Sequence, residues 1–384
     1  MDNKPVKVLH MAPLGPGGIS KLTVSINKLI DRDRVVFEYL VFRDHKEFFD
    51  DKISELGAPK RIVDVENVKI SLFKQVVKFK KMCELFRREK YDVVHVDAST
   101  PYDVVVALAA KVSGIRTIVF HSHNDGFKKG NILRDAMFPF FKLLMRFCVT
   151  DYFTISEKAA EFMFPTKIYK QKKYTLVRNG IDPVELRFSP EDRNYIRDQL
   201  NIGSKKVIGH IGRFVYQKNH RFLIDILEKV LEKDSGYILL LVGEGELVDE
   251  IKKYAEDHGV IENVVFFGTT HEIGKVLSAM DCFVFPSHFE GLGIVAIEAQ
   301  ANGLPTICAD SIVDEVNVTD KFCRVHGWDA NEWADRICDI IQNDNRCDDK
   351  IEEIRKSGYD IRSTVSKLES FYIETSKPKK KKAK

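Results

Sequence analysis

The chain has 384 residues, 44% of them apolar, which is more than one hydrophobic core usually organises, so two domains are expected. Its formal charge of +3 is the small remainder of 60 basic and 57 acidic residues, which argues against a global nucleic-acid binder and leaves any electrostatic partner to be found locally. Seven cysteines (Cys83, Cys148, Cys282, Cys308, Cys323, Cys338, Cys347) are scattered without C-x-x-C spacing, so buried or idle thiols are expected rather than a disulfide framework or a zinc site.

The opening MDNKPVKVLHMAPLG enters a strand-like run without a signal-peptide core, and no apolar run reaches the roughly 18 residues of a membrane span. A cytosolic chain is expected. VKVLHMA, FEYLVF, RIVDV, YDVVHVD, TIVFHSH, DYFTIS and YTLVRNG read as strands, with helical stretches from Lys21 to Asp31 and from Ile70 to Glu89. This is the rhythm of a parallel sheet. After a polar, Pro-containing connection near Asp182 to Glu191 it restarts with KVIGHIG, GYILLLVG, NVVFFG, CFVFP and LPTICA. Asn179, Gly180 and Asp182 read as turn formers at the connector. The expected organisation is a first α/β domain over 1–183, a second over 184–357, a helical segment over 358–376 packing back on the first domain, and a disordered Lys-rich tail over 377–384.

Open parallel sheets collect ligands at the carboxyl ends of their strands, so the loops there carry the chemistry. PLGPGGIS places Gly15, Gly17 and Gly18 before a helix, where backbone can approach a ligand closely and the helix start favours an anion. The segment lacks both the P-loop lysine and the G-x-G-x-x-G spacing, so alone it is also an ordinary strand-to-helix turn. His121, His123 and Asn124 gather just past the apolar TIVF, at a crevice edge where an imidazole can bond a sugar hydroxyl or a backbone carbonyl. His95 and Asp97 also end a strand and read as supporting or structural residues.

In the second half, Arg213 and Lys218 follow the strand KVIGHIG; a guanidinium and an ammonium converging there suit a diphosphate. Each alone would be an ordinary surface cation. Gly291 and Gly293 of EGLGI open a helix that offers backbone N–H groups and a positive dipole end to the same phosphates. Glu290 and Glu298 flank that turn. If most of their interval is helical it spans up to ~12 Å at ~1.5 Å per residue. That is too far for a glycosidase pair, roughly 5 to 9.5 Å apart. An elongated ligand with hydroxyls at both ends and phosphates in the middle, such as a nucleotide sugar, fits better.

EGLGIVAIE, GRFVYQKN, LLLVGEGEL, SAMDCFVFPSHFEG, VRNGID and GPGGI together resemble a retaining glycosyltransferase of family 4, over nearly the whole chain. The variant most similar is that of bacterial exopolysaccharide and capsule transferases. The resemblance implies an α/β GT-B fold, two facing Rossmann-like domains with parallel sheets and a cleft between them. It implies that Arg213 and Lys218 hold the donor diphosphate, that Glu290 contacts the sugar, that Glu298 binds ribose, and that Gly291, Leu292 and Gly293 complete the donor loop. Gly17 and Gly18 would meet the diphosphate and the acceptor side, and His121 the sugar. HSHN departs from the commoner His-Asp pattern, and His123 and Asn124 are assigned to the acceptor side. The expected activity is hexosyl transfer with retention, from a UDP-sugar to a hydroxyl of a glycan or lipid-linked acceptor. No metal and no cofactor are expected, since the nucleotide sugar is a substrate and a site whose charge at the leaving group comes from Arg213, Lys218 and the helix start can do without a metal. Nucleic acid is not an expected partner. The rival readings are a nucleotide-sugar epimerase, a sugar phosphorylase of similar fold, and a non-catalytic sugar-nucleotide binder.

Two basic, aromatic-bearing segments, FKQVVKFKKMCELFRREK and NILRDAMFPFFKLLMRF, lie in the acceptor half. Both fit peripheral contact with an anionic membrane, and both also fit core-packed helices with a solvated basic face.

Overall fold

The computed structural model describes residues 4–65, 71–124, 126, 136–343, 346 and 350–377. Arg134, Cys347 and all of the Lys-rich tail except Lys377 lie outside the described residues. The chain divides into two compact units, residues 1–180 with 361–384, and residues 181–360.

In the first unit β1 (Val6–Met11), β2 (Val35–Val41), β3 (Lys60–Ile62), β4 (Val93–Ala98), β5 (Thr117–Ser122), β6 (Asp151–Thr154) and β7 (Thr175–Leu176) form one sheet in the order β3-β2-β1-β4-β5-β6-β7. Every pairing is parallel. Alternate residues of each strand enter separate cores, because successive side chains leave opposite faces of the sheet. Leu9, Met11, Val94, Val96, Ile118 and Phe120 pack with Met82 and Phe86 of the helix Ser71–Glu89 and with the helix Val104–Val112. Val6, Val8, Val93 and Val119 pack on the other face. There they meet Leu22 and Ile26 of the helix Gly18–Leu29, and Ile361, Val365, Leu368 and Tyr372 of the helix Ile361–Ser376.

The second unit holds β8 (Lys206–Ile211), β9 (Tyr237–Val242), β10 (Val264–Gly268), β11 (Cys282–Phe285), β12 (Thr306–Ala309) and β13 (Phe322–Val325), again all parallel, in the order β10-β9-β8-β11-β12-β13. The edge strand β13 is not anticipated by the sequence pattern, since FCRV is only four residues long and three of them are partly exposed. RIVDV contributes only its first two residues to the short β3.

Each sheet reverses its winding once, between β1 and β4 and between β8 and β11. Loops leaving the carboxyl ends of those strands diverge to opposite faces and open a crevice, the usual ligand position in doubly wound sheets. Among the described cysteines, Cys83, Cys148, Cys282 and Cys308 are buried and Cys323 and Cys338 are partly exposed, all as free thiols.

Candidate active site

In the second unit, both loops at the switch point carry the expected donor residues. β8 runs into Gly212 and Arg213, and a short turn of 3-10 helix, Tyr216–Lys218, then delivers Lys218 before the helix His220–Leu231. The turn is braced from β9: Gly212 N–H donates to the carbonyl of Val242, and Phe214 N–H to that of Glu244 at 2.9 Å. Gly243 and Gly245, both with positive φ, make this possible, since a Cβ at Gly243 would lie 2.2 Å from the Gly212 carbonyl oxygen. This is the physical content of the LLLVGEGEL motif.

From β11 the chain passes through Ser287 and Glu290 to Gly293, whose φ of 81° starts the helix Ile294–Ala301. Lys218 Nζ donates to Glu290 Oε1 at 2.7 Å, and the ammonium lies 4.7 Å from the Phe285 ring centroid. Both side chains are largely shielded, at 15% and 8% exposure. Arg213 is exposed on the same turn.

One expectation about the carboxylates changes. The helix begins only at Ile294, so half of the interval from Glu290 to Glu298 is loop, and the condition behind the long helical span fails. Glu298 is buried, 5% exposed. The helix's N-terminal amides lack intrahelical partners and favour an anion at that end.

The first unit gathers its polar residues on one sheet face. Register sets His10 opposite His95, and Asp97 opposite His121. With the period-2 alternation, His10, His95, Asp97, His121 and His123 continue the face whose lower rows are Val8, Val93 and Val119. All five are buried, at 7% exposure or less. Asp97 Oδ2 accepts from His10 Nδ1 at 2.8 Å, and Asp97 Oδ1 accepts from His123 Nε2 at 3.1 Å. His95 Nε2 and His121 Nδ1 are 3.2 Å apart, and Tyr372 Oη is 2.7 Å from His95 Nδ1.

Burial raises the pKa of Asp97, but the imidazoles of His95, His10 and His123 outweigh it and hold the carboxyl well below its usual range. Burial keeps His95 neutral, its pKa pushed down to about 3 against the pull of Asp97, and it pushes His121 well down likewise. The ligand atoms of His10, His95 and Asp97, and of Asp97, His121 and His123, lie within 4.8 Å of one another, so either set has the spacing to hold a metal ion. Their 2.8 and 3.1 Å contacts are equally those of direct hydrogen bonds.

His121 therefore lies inside β5 rather than beyond its end, at 2% exposure, because the strand continues through Ser122. Its Nε2, and Nδ1 of His123, are buried without a hydrogen-bond partner among the described residues. Asn124 is turned back, donating from Nδ2 to the Ser99 carbonyl at 2.9 Å. Residues read as supporting, His95 and Asp97, form the centre of the cluster. His10 and Tyr372 were missed; the alternation in VKVLHM was the available signal for His10, whereas nothing local marks Tyr372. Gly17 caps the helix Gly18–Leu29, and a Cβ added at Gly15, Gly17 or Gly18 would meet nothing within 4 Å, so packing does not require glycine there.

Two doubly wound parallel sheets in series, with polar and glycine-rich loops at their switch points, make this a GT-B glycosyltransferase fold. Residues 192–357 match the family described as Glycosyl transferases group 1, and residues 51–154 match Glycosyl transferase 4-like. The chain thus carries a group 1 and a 4-like glycosyltransferase domain. Among curated relatives, it is 29% identical over 389 residues to the putative glycosyltransferase EpsF of Bacillus subtilis, covering 98% of this chain and 99% of that one. It is 26% identical over 328 residues to an Escherichia coli UDP-Gal:alpha-D-GlcNAc-diphosphoundecaprenol alpha-1,3-galactosyltransferase, covering 79% and 81%. Among solved structures, HepE of Anabaena, determined with UDP and glucose, superposes with a TM-score of 0.70 at 19% identity, covering 96% of both chains.

Proposed function

We propose that the protein transfers a hexose from a UDP-sugar, with retention, to a hydroxyl of a glycan or lipid-linked acceptor in cell-surface polysaccharide synthesis. The observation that carries this is the shielded Lys218–Glu290 pair beside a glycine-opened helix at the β8/β11 switch point. Lys218 and Arg213 neutralise the diphosphate, Gly291, Leu292 and Gly293 present the helix start, Glu290 meets the sugar, and Glu298 binds ribose. The acceptor hydroxyl attacks the anomeric carbon on the leaving-group face, and the departing phosphate oxygen takes its proton. Catalysis is then mainly electrostatic stabilisation of that leaving group. In the first unit, Gly17 and Gly18 serve the diphosphate and acceptor side, and His121, with His123 and Asn124 nearby, the sugar and acceptor. The UDP-galactose donor and diphospholipid acceptor named for the Escherichia coli relative, and UDP in HepE, support these donor and acceptor classes.

The test is release of nucleoside diphosphate from UDP-, GDP- and ADP-sugars with and without a diphospholipid-linked glycan. Acceptor-dependent release from the UDP-sugar is expected. Turnover without acceptor would move the protein to the epimerases, and binding without release under any condition would make it a sugar-nucleotide binder. Glu290→Gln should impair transfer more than UDP binding, whereas Glu298→Gln should weaken both. Equal loss of UDP affinity in both variants would reverse their assignment. With fixed protein charges at the leaving group, activity should survive exhaustive EDTA; a strict need for added manganese or magnesium would contradict this.

We further propose cytoplasmic residence with peripheral docking on an anionic membrane. Among the described residues no helix is long and apolar enough to cross a membrane. The helix Phe138–Cys148 instead leaves an apolar stripe exposed, with Phe140 at 58%, Leu143 at 49% and Phe147 at 69%, beside the exposed Arg146. On the helix Ser71–Glu89, Met82, Leu85 and Phe86 are core residues, and Lys78 rests 3.2 Å from the Phe42 ring centroid. Its basic face is thus partly occupied, and the stripe at Phe140 is the better docking surface. Protein lacking residues 377–384 should co-sediment with anionic vesicles at low salt and not with neutral ones. Phe140→Ser with Phe147→Ser should weaken this at least about tenfold, from the apolar area each ring would bury. Indifference of the tail-less protein to anionic vesicles would favour a soluble acceptor.

A further inference from the structure

The buried cluster of the first unit contains a chain of hydrogen bonds whose direction can be worked out atom by atom. Ionised Asp97 only accepts, so His10 carries its proton on Nδ1 and His123 carries its proton on Nε2. In the neutral form of each ring, His10 Nε2 and His123 Nδ1 are bare lone pairs. Tyr372 has one proton to give and two imidazole nitrogens near it, His95 Nδ1 at 2.7 Å and His10 Nε2 at 3.4 Å. The first distance is that of a good O–H donor bond and the second is at the limit of any hydrogen bond. The hydroxyl therefore donates to His95.

That single choice propagates. With Nδ1 accepting, neutral His95 carries its proton on Nε2 and donates it to His121 Nδ1 at 3.2 Å. His121 Nδ1 is then bare, and the proton of His121 resides on Nε2. This is the buried nitrogen that has no partner among the described residues. The reverse arrangement, with Tyr372 donating to His10, would leave His121 Nε2 as an acceptor.

We propose that Tyr372, on the C-terminal helix Ile361–Ser376, is a positioning residue that acts through His95 to make His121 Nε2 a hydrogen-bond donor toward the sugar. The proposal rests on the reading of His121 as a sugar contact, and it deepens that reading by assigning the contact's polarity. A neutral imidazole N–H seeks a ligand oxygen, a hydroxyl or ring oxygen of the donor sugar, and cannot act there as a general base. Tyr372 is suited to the task because it is fully buried and its pKa is raised by that burial, so its hydroxyl stays protonated.

The experiment uses the full chain with nitrogen-15-labelled histidine, in which two-bond nitrogen–proton correlations report the protonated nitrogen of each ring. Wild type should show His121 protonated on Nε2. Tyr372→Phe removes the donor to His95, so His121 should shift toward the Nδ1 form and kcat should fall about tenfold, the value of one hydrogen bond. The KM for the donor should change less. His95→Asn keeps a partner for Tyr372 and removes the donor to His121, so it should shift His121 in the same way even if Tyr372→Phe folds poorly. His95→Gln supplies an amide donor near the Nε2 position independently of Tyr372, and in that background Tyr372→Phe should leave the His121 tautomer unchanged. Nδ1 protonation of His121 in the wild type, an unmoved His121 in both Tyr372→Phe and His95→Asn, or stoichiometric metal bound at the cluster would overturn the proposal. Undiminished transfer by His121→Ala would instead overturn the underlying reading and the kinetic half of this one. The tautomer measurement fails or stands separately.

Discussion

Lys218→Ala is expected to lower transfer by roughly 2 to 4 kcal/mol of transition-state stabilisation, the range for removing one preorganised charge donor. It is also expected to lower thermal stability. The structure separates this variant from Arg213→Ala, which should lose comparable activity without a stability cost, because Arg213 is exposed whereas Lys218 neutralises a shielded carboxylate. Without its cation, Glu290 keeps a desolvated charge, a cost of about 1 to 3 kcal/mol. Glu290→Gln in the Lys218→Ala background should restore much of the melting temperature and none of the transfer rate. Steady-state kinetics and thermal melts of the two single variants and the double variant decide the matter. Wild-type turnover in Arg213→Ala and Lys218→Ala would remove the diphosphate assignment, and an unchanged melting temperature in Lys218→Ala would mean that the pair adds nothing to the resting fold.

The second large effect is loss of stability on mild acidification. His95 and His220 have pKa values pushed down to about 3 by burial, and His121 and His210 are also pushed well down by it. Between about 6.5 and about 3 the unfolded chain binds protons at His95 and His220 and the folded chain does not, so stability rises with pH across that window, and His121 and His210 act in the same direction. At pH 5 His95 and His220 each cost about 2 kcal/mol relative to pH 7. His95 and His121 act on the first unit, His210 and His220 on the second. Thermal melts from pH 7 to pH 5 should move both units downward. His220→Phe should reduce the response of the second unit, because His220 stacks on Phe214 at 4.0 Å and its ring has no hydrogen bond to lose among the described residues. A melting temperature constant from pH 7 to pH 5 would show that these imidazoles open to water before they are protonated.

Much of this was legible locally because parallel sheets are buried on both faces and write near-continuous apolar runs into the sequence. VKVLHM, YDVVHV, TIVF, YILLLV and CFVF each became a strand. The short edge strand β13 was not legible, since a partly exposed FCRV has no period to read. Glycine-rich loops announced their neighbourhood, and Lys218 and Glu290 were named as donor residues from their places after two strands. Their direct 2.7 Å bond was not readable, because it depends on β8 and β11 being adjacent although β9 and β10 intervene in the chain.

The sequence by itself determined the two-domain α/β class, the strand ends at which polar residues collect, and the parity that puts His95 with Asp97 and His121 with His123 on one face, because side chains alternate with a period of two. Only the tertiary structure decided which strands are neighbours and in what register. That register, set by packing over the whole sheet, pairs His10 with His95 across 85 positions and brings Tyr372 to within 2.7 Å of His95, 277 positions away. Pairing between strands is a long-range choice made by burial on both faces, and no local pattern around Tyr372 records that its hydroxyl will meet an imidazole.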